Sequence, residues 1–340
     1  MDTESNILPN LETVPLAVHY TDGACVIRLP VALTVTEAVS FRNVCKDLFR
    51  EYPDLKSLSL DFSDTLFIDS SGIGVLTICR RLCEQRQTEL LLHDVGPQVM
   101  MALAITDLDK IFTIKQTDPD RVLPPPKQQE RKMLSTHPSI GSRAKRAMDI
   151  VGSIVGLSIT AVLFVPIAIA IKLDDGGPIL FSQTRCSWMG KRFRIWKFRS
   201  MVVDAEARKH EIQNKNEAEG PLFKIKDDTR ITGIGKFLRK TSLDEFPQFW
   251  NVLKGDMSLV GTRPPTPDEI ERYEVPAWQR LDVKPGLTGE WQVNGRSSIT
   301  NFEDVIKLDL RYQQNWSLFY DLKIIFKTVL IIFTSKSGAS

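Results

Sequence analysis

The chain has 340 residues, of which 42% are hydrophobic, so it is long enough for two domains with packed cores. Its formal net charge of +2 hides an asymmetry, because residues 1–140 hold 14 Lys+Arg against 19 Asp+Glu and residues 141–340 hold 30 against 23. The two parts are therefore expected to have different partners. No Walker loop, zinc-ligand spacing or glycine-rich dinucleotide fingerprint is present, and no nucleic-acid partner is expected.

The first part alternates short apolar runs with amphipathic stretches, which predicts an α/β domain of about 100 residues. No secretory signal precedes it, because residues 1–14 are polar and acidic. The predicted strands and helices are, in chain order, strand 24–29, helix 36–52, strand 58–62, helix 72–83 and strand 89–93. Asp69, Ser70 and Ser71 stand where the second helix should begin, a position that favours a capping side chain.

The block Thr65–Gly74 and the later block Ala104–Phe112 resemble the STAS domain family, which includes anti-sigma factor antagonists. The resemblance covers residues 14–116 and implies a regulatory domain with a protein partner or a kinase. In that family the Ser directly after the Asp is a phosphorylation site, and the matching residue is Ser70. The alternative for Ser70 is an unmodified helix cap.

Residues 117–142 include three consecutive prolines and show no helical or strand period, which predicts an extended linker. The five cysteines are odd in number. Cys79 and Cys83 could share a helical face, but no third and fourth metal ligands lie near them in the sequence. Buried, reduced thiols are therefore predicted, which fits a cytoplasmic compartment.

A membrane segment follows the linker. Ile150–Ile171 contains 22 residues without a charge, and a helix of that length would measure roughly 33 Å, enough to reach across a hydrocarbon core. A buried core helix is the alternative. Pro166 removes a backbone hydrogen bond in the second half of the segment, which predicts a kink.

An adjacent acid pair, Asp244 and Glu245, lies between Arg239 and Arg263 in a stretch without His or Cys. Two neighbouring carboxylates repel, so nearby cations or a divalent metal would be needed to keep both ionised. Such a site suits carboxylate chemistry on an anionic, phosphorylated substrate. The pattern Ser242-x-x-Glu245 also fits a capping box, which would need no chemistry.

Seven blocks in the second part occur in the order seen in bacterial polyprenyl-phosphate sugar-1-phosphate transferases, the monotopic phosphoglycosyl transferases. The resemblance covers about 190 residues and rests on Lys145–Asp149, Gly177–Gln183, Lys197–Met201, Leu243–Gln248, Gly255–Pro264, Lys284–Gly289 and Asn294–Arg296.

The resemblance implies that Asp244 attacks the β-phosphate of a UDP-sugar and that UMP leaves. The phosphosugar on the enzyme then passes to a polyprenyl phosphate in the membrane. Glu245 would position Asp244 or handle a proton, and Mg²⁺, held by Asp244, would offset the diphosphate charge. Basic residues in or beside the blocks are assigned to phosphate or nucleotide binding: Lys197, Arg199, Arg239, Arg263 and Arg296.

Because nucleotide sugars are cytosolic, the parts on either side of the membrane segment should both lie on the cytoplasmic face of the bacterial inner membrane. The segment should therefore enter and return, a re-entrant helix that the resemblance also implies. The aromatic-rich run 316–333, interrupted by Lys323 and Lys327, suits an interfacial helix in contact with lipids. Packing against the catalytic domain is the alternative for this run.

The expected organisation is an α/β STAS domain at 14–116, a linker at 117–142, a re-entrant membrane helix at 143–175 and a mainly helical α+β catalytic domain at 176–335. The leading hypothesis is a sugar-1-phosphate transferase that begins glycan assembly, such as exopolysaccharide synthesis. A second hypothesis is a STAS-mediated partner-binding regulator whose transferase unit serves as a membrane anchor. A third is an ordinary glycosyl transferase, which would release UDP rather than UMP.

Overall fold

A computed structural model of the chain describes residues 16–21, 23–116, 136–209, 220, 225, 228–295, 299 and 301–334. These residues form two compact units. The first contains the described residues up to Thr136 together with Trp188–Lys191 and Tyr273–Asp282. The second contains His137–Ser187, Arg192–Arg272 and the residues from Val283 onward. Residues 117–135 of the predicted linker lie outside the described residues.

A five-stranded sheet forms the centre of the first unit. Its order is β1-β2-β4-β6-β7, with β1 antiparallel to β2 and the other neighbours parallel. The strands are β1 (Ala17–Thr21), β2 (Ala24–Arg28), β3 (Ala32–Leu33), β4 (Ser57–Asp61), β5 (Phe67–Ile68), β6 (Glu89–His93) and β7 (Thr113–Lys115). β3 and β5 form a separate parallel pair. The crossovers contain α1 (Val35–Glu51), α2 (Ser70–Arg86), and α3 (Pro97–Ile105), which is followed by a 3₁₀ turn, Leu108–Lys110.

The core of this unit follows the predicted periods. Alternate residues of β2, Cys25 and Ile27, are buried, as the period of two requires. α1 buries one apolar face that includes Phe41 and Cys45. All five cysteines are buried, which confirms the prediction for the thiols, and burial raises the pKa of Cys25.

The second helix of the first unit begins where the sequence places Asp69. Asp69 is extended (φ −97°), and its carboxylate accepts the Gly72 backbone N–H at 2.8 Å. An aspartate in this position satisfies one of the free N–H groups of the first turn and favours the helix by about 1 kcal/mol. The predicted helix start is therefore confirmed, with Ser70 as the first helical residue.

The second unit is mainly helical, with two small sheets. Its strands are the antiparallel pair β8 (Leu180–Cys186) and β9 (Arg192–Phe198) and the parallel pair β10 (Ser258–Val260) and β11 (Gly286–Thr288). Its helices are α4 (Pro138–Gly141), α5 (Arg143–Asp175), α6 (Gly233–Lys240), α7 (Phe249–Lys254), α8 (Pro267–Glu271), α9 (Glu290–Val293), α10 (Phe302–Gln314) and α11 (Leu318–Phe333). Shorter 3₁₀ turns are Ala207–Lys209 and Leu243–Gln248. The expectation of a mainly helical α+β catalytic part is confirmed.

α5 is the membrane segment of the sequence analysis, and it runs as one helix of 33 residues through Pro166. Among the described residues it is the helix that is long and apolar enough to cross a bilayer. One stripe of α5 packs on the rest of the second unit from end to end. Gly152 and Gly156 lie against Leu259 and Phe249, where an added Cβ would approach to 2.5 and 2.4 Å. Near the other end Ile167 and Ile171 pack with Phe198 and Leu238.

A buried ionic network connects the two ends of the second unit's sequence. Lys145 Nζ donates to Asp321 Oδ2 at 2.6 Å, to the Val260 carbonyl at 3.0 Å and to the Tyr312 hydroxyl at 3.2 Å. Asp321 also accepts hydrogen bonds from Tyr312 and from the Trp316 indole N–H. The Lys145 side chain is 6% exposed and that of Asp321 0%. The network fixes α5, β10 and α11 to one another.

Candidate active site

A charged pocket of about 150 Å³ opens in the second unit. It combines three cationic side chains, those of Arg185, Lys197 and Arg263, with the carboxylate of Glu245. Its remaining lining residues are Ile195, Gln248, Pro264, Gly286, Leu287, Trp291 and Gln292. The excess of positive charge favours an anionic ligand.

The acid pair lies in the 3₁₀ segment Leu243–Gln248, which continues into α7. Asp244 is buried, with 6% of its surface exposed, and it is not among the side chains that line the pocket. Its neighbour Glu245 faces the pocket. Consecutive residues of a tight helical turn point in different directions, so the two carboxylates occupy different environments.

The predicted capping box is wrong. Ser242 adopts a left-handed conformation (φ 56°, ψ 17°) and its side chain makes no capping hydrogen bond. Instead the backbone carbonyl of Ser242 accepts the Glu245 N–H at 3.2 Å, which closes the turn through the main chain. Because a capping Ser needs an extended backbone, this geometry excludes the box and leaves the Glu245 side chain for another partner.

That partner is Lys197. Lys197 Nζ and Glu245 Oε1 are 3.0 Å apart, and both side chains are partly exposed to the pocket. Asn251, which is fully buried, holds the two elements together: its Nδ2 donates to the Arg194 carbonyl at 2.7 Å and its Oδ1 accepts the Trp196 N–H at 3.2 Å. The acid pair is thus fastened to β9, the strand that carries Lys197.

Arg263 approaches the pocket from the loop after β10. Its guanidinium forms a bidentate pair with Glu269, with N–O distances of 2.7 and 3.0 Å. The loop packs closely on the start of β11, because an added Cβ at Gly261 would lie 2.2 Å from the Lys284 carbonyl oxygen. Only glycine permits this approach, which holds the Arg263 loop beside the pocket residues Gly286 and Leu287.

The other predicted basic residues lie elsewhere. Arg199 is buried in a bidentate pair with Asp175 at the end of α5 and donates to the Pro178 carbonyl. Arg239 Nε donates to Ser200 Oγ at 2.9 Å. Neither lines the pocket. Arg296 falls outside the described residues.

Three of the pocket residues that were not predicted from the sequence, Arg185, Trp291 and Gln292, bear on ligand binding. Arg185 donates to the Pro264 carbonyl at 2.9 Å and to Gln183 at 2.7 Å; burial, and then repulsion by Arg263, lower its pKa to about 10. It still carries a full charge at neutral pH. Within the described part of the chain, Trp291 Nε1 and Gln292 Oε1 are buried atoms with no hydrogen-bond partner. A buried donor and a buried acceptor without partners beside a pocket can form hydrogen bonds with a polar ligand.

A signal for Arg185 was present in the sequence. Gln183 closes one of the blocks, and Arg185 follows it at the spacing that puts two strand residues on the same face. Trp291 and Gln292 gave no comparable signal, because they belong to a one-turn helix whose orientation depends on long-range packing.

Comparison with known protein families shows which family the chain belongs to. The family described as "Bacterial sugar transferase" matches residues 140–335, more than half of the chain. The chain belongs to the bacterial sugar transferase family. The STAS domain family matches residues 16–120, so the chain also contains a STAS domain.

Among curated relatives of the sugar transferase part, the galactosyl transferase CpsE of Streptococcus agalactiae is 52% identical over 189 residues. The undecaprenyl-phosphate galactose phosphotransferase of Salmonella typhimurium is 44% identical over 196 residues. The matches cover 56% and 55% of this chain but only 42% and 40% of those proteins. The exopolysaccharide production protein ExoY of Rhizobium meliloti is 38% identical over 58% of this chain and 89% of its own length.

The sugar transferase part presents two apolar surfaces outside the pocket. The face of α5 opposite its packed stripe exposes Val151, Ile154, Val155, Val162, Val165 and Leu173. α11 buries Ile324 and Asp321 but exposes Phe319, Leu322, Phe326 and Leu330. Both interpretations of the C-terminal run therefore apply to different faces of the helix: one face packs on the catalytic part, and the other has the apolar character of an interfacial helix.

Ser70 occupies the first turn of α2 in the first unit and is completely buried. Its backbone N–H donates to Asp282 Oδ1 at 3.0 Å. A kinase could reach its hydroxyl only after Asp282 and its neighbours move away. The assignment of Ser70 as a phosphorylation site stays a prediction.

Proposed function

We propose that this protein transfers a sugar 1-phosphate from a UDP-sugar to polyprenyl (undecaprenyl) phosphate and releases UMP. The observation that carries the proposal is a pocket in which Arg185, Lys197 and Arg263 surround Glu245, the neighbour of Asp244. The names of the relatives, an undecaprenyl-phosphate galactose phosphotransferase and an exopolysaccharide production protein, support the same reaction and a role in exopolysaccharide or related glycan synthesis.

In the first step an Asp244 carboxylate oxygen attacks the β-phosphorus of the UDP-sugar. The bond from that phosphorus to the bridging oxygen breaks, its electron pair stays with the bridging oxygen, and UMP leaves. Because the Asp244 side chain does not line the pocket, it must turn toward the pocket before attack.

In the second step an oxygen of polyprenyl phosphate attacks the same phosphorus. The bond to Asp244 breaks, the carboxylate is restored, and the product is a polyprenyl diphosphate sugar. The two displacements occur at the same phosphorus with two nucleophiles in turn, first Asp244 and then polyprenyl phosphate, so the Asp244 carboxylate returns to its starting state without a net change in its protonation.

The cationic side chains bind the diphosphate. Arg185 and Arg263 present guanidinium groups, which hold phosphate oxygens through paired hydrogen bonds, and Lys197 adds a point charge. The Glu245 carboxylate forms an ion pair with Lys197 and so holds the ammonium group in place relative to the turn that carries Asp244. Trp291 and Gln292 supply one donor and one acceptor to the polar part of the substrate.

The donor set also fits Mg²⁺. The described residues contain no group of three or more Asp, Glu, His or Cys side chains, which disfavours a metal held by protein alone. Mg²⁺ in phosphoryl-transfer sites is usually bound by one or two carboxylates and the substrate phosphates. Asp244, assisted by Glu245, would provide that ligation, and the ion would offset the charge of the diphosphate and the leaving UMP.

We further propose that α5 dips into the membrane with both of its ends on the same side, bending at Pro166, a residue inside the helix that removes one backbone hydrogen bond. The support is its packed stripe: residues near both ends of the apolar stretch, Gly152 and Ile171, contact the same compact unit. One folded unit with a charged pocket lies on one side of a bilayer, so both ends of α5 belong on the cytoplasmic face. The exposed apolar face of α5 would then contact lipid.

Incubation of the detergent-purified protein with a panel of UDP-sugars, with and without polyprenyl phosphate, tests the reaction. The expected product is UMP, with one equivalent per enzyme released when the acceptor is omitted. A peptide map should show a phosphosugar on Asp244. Asp244→Asn should abolish UMP release, whereas Asp304→Asn, on an exposed helical face, should leave it unchanged. Release of UDP, or an active Asp244→Asn enzyme, would rule out the mechanism.

Cysteine labelling in intact cells and spheroplasts tests the topology. All native cysteines are buried, so single cysteines at Arg143 and Lys172, which are both exposed, can be labelled selectively. Both positions should react only with a reagent that reaches the cytoplasm. Labelling of either one from the periplasm would contradict the re-entrant arrangement.

A further inference from the structure

Tyr273–Asp282 lies inside the range that matches the sugar transferase family, yet in the structure it belongs to the first unit together with the STAS fold. Most of the segment forms a 3₁₀ helix, Val275–Leu281, which packs on α2. The segment is well buried there: Val275, Trp278, Arg280 and Leu281 are each no more than 5% exposed. α2 thus has an occupant supplied by the same chain.

Gly74 marks the tightest point of this contact. A Cβ added to Gly74 would lie 2.4 Å from the Trp278 indole ring, closer than any real Cβ contact. Glycine in the middle of a helix destabilises it by roughly 0.5–1 kcal/mol relative to alanine. The close contact with the Trp278 indole therefore explains the glycine at this position, because helix propensity alone would favour alanine.

A second contact closes the N-terminus of α2. Asp282 accepts the Ser70 N–H at 3.0 Å, in the same first turn in which Asp69 accepts the Gly72 N–H at 2.8 Å. Burial and mutual repulsion raise the pKa of Asp69 to about 8, and burial raises the pKa of Asp282 to about 6. At neutral pH Asp282 is the more readily ionised of the two buried acids, so a negative charge at Ser70 would be repelled by the Asp282 carboxylate that contacts the Ser70 N–H.

We propose that Tyr273–Asp282 is an intramolecular ligand of the α2 face, and that negative charge at Ser70 releases it. An external STAS partner would then bind only after this segment has left. The chain continues from Asp282 to the pocket residue Gly286 in four residues. If the proposed function holds, release of the segment therefore also changes the transferase pocket.

Hydrogen–deuterium exchange of the full-length protein in detergent tests the proposal without reference to activity. Gly74→Ala should raise the exchange rate of peptides covering 273–282 at least tenfold, although alanine favours the helix. Gly141→Ala is the matched control, because nothing lies within 4 Å of the Cβ it would add. Ser70→Asp should act in the same direction as Gly74→Ala. Asp282→Asn, which keeps the acceptor oxygen but removes the charge, should slow exchange.

Two outcomes would overturn the proposal. One is unchanged or slower exchange of 273–282 in Gly74→Ala, which would mean that Trp278 does not rest on α2. The other is unchanged exchange in Asp282→Ala, a variant that leaves the STAS sequence intact. If Gly74→Ala unfolds the whole first unit, with loss of protection in β4 and β6, the exchange rate of 273–282 in Asp282→Ala alone is used to accept or reject the proposal. UMP release is measured in parallel, so that loss of transferase activity is distinguished from failure of the segment 273–282 to leave α2.

Discussion

Replacement of Lys145 by Met should strongly destabilise the second unit. The substitution keeps the length of the side chain but removes the ammonium group that contacts Asp321, Val260 and Tyr312. The Asp321 carboxylate, 0% exposed, would keep only neutral donors from Tyr312 and Trp316. Breaking a buried pair in this way typically costs about 3–5 kcal/mol, because a charge stays buried without compensation.

Guanidinium unfolding in mild detergent, followed by tryptophan fluorescence, measures this loss. Lys307→Met is the control: its ion pair with Asp304 is about half exposed on both sides and should contribute at most about 0.5 kcal/mol. The double variant Lys145→Met/Asp321→Asn should lose less than the sum of the two single variants, since it leaves no buried charge. A loss below about 1 kcal/mol for Lys145→Met would refute the reasoning.

Three further predictions concern other parts of the chain. The first unit should lose stability as the pH rises from about 4 to about 8, because Asp69, which faces Asp282 and Glu37, and Asp282 itself bind more protons in the folded than in the unfolded state. Asp282→Asn should flatten this dependence in unfolding measured at pH 5 and 8. Gly156→Ala should lower thermal stability and UMP release despite its better helix propensity, since its Cβ would lie 2.4 Å from Phe249, next to the acid-pair turn. Gln292→Met should raise the KM for UDP-sugar several-fold with little change in the unfolding midpoint, since Gln292 Oε1 has no partner to lose among the described residues.

Local periodicity predicted the regular elements well. The strand Glu89–His93 has the predicted bounds, and α1 and α2 begin and end within three residues of their predicted limits, whereas β1, α3 and β7 were not predicted. The two-residue strands Ala32–Leu33 and Phe67–Ile68 were missed, because such short strands are defined by their pairing and not by a sequence period.

The site was predicted in part. Lys197, Glu245 and Arg263 do meet in one pocket, whereas Arg199 binds Asp175 instead. A motif shows which residues occur together, but it does not distinguish a cation that binds substrate from one that holds a helix end. The packing of Tyr273–Asp282 in the first unit could not be predicted from the sequence either, because it depends on tertiary contacts around Trp278.

The proximity of Arg185 and Arg263 has a practical consequence for handling the protein. Each guanidinium raises the electrostatic energy of the other in a partly dehydrated pocket, and burial, followed by this repulsion, lowers the pKa of Arg185. Any small oxyanion that enters between them relieves it. Sulfate and phosphate buffers should therefore stabilise the purified protein against heat while competing with the nucleotide sugar, so activity is best measured in chloride at low ionic strength.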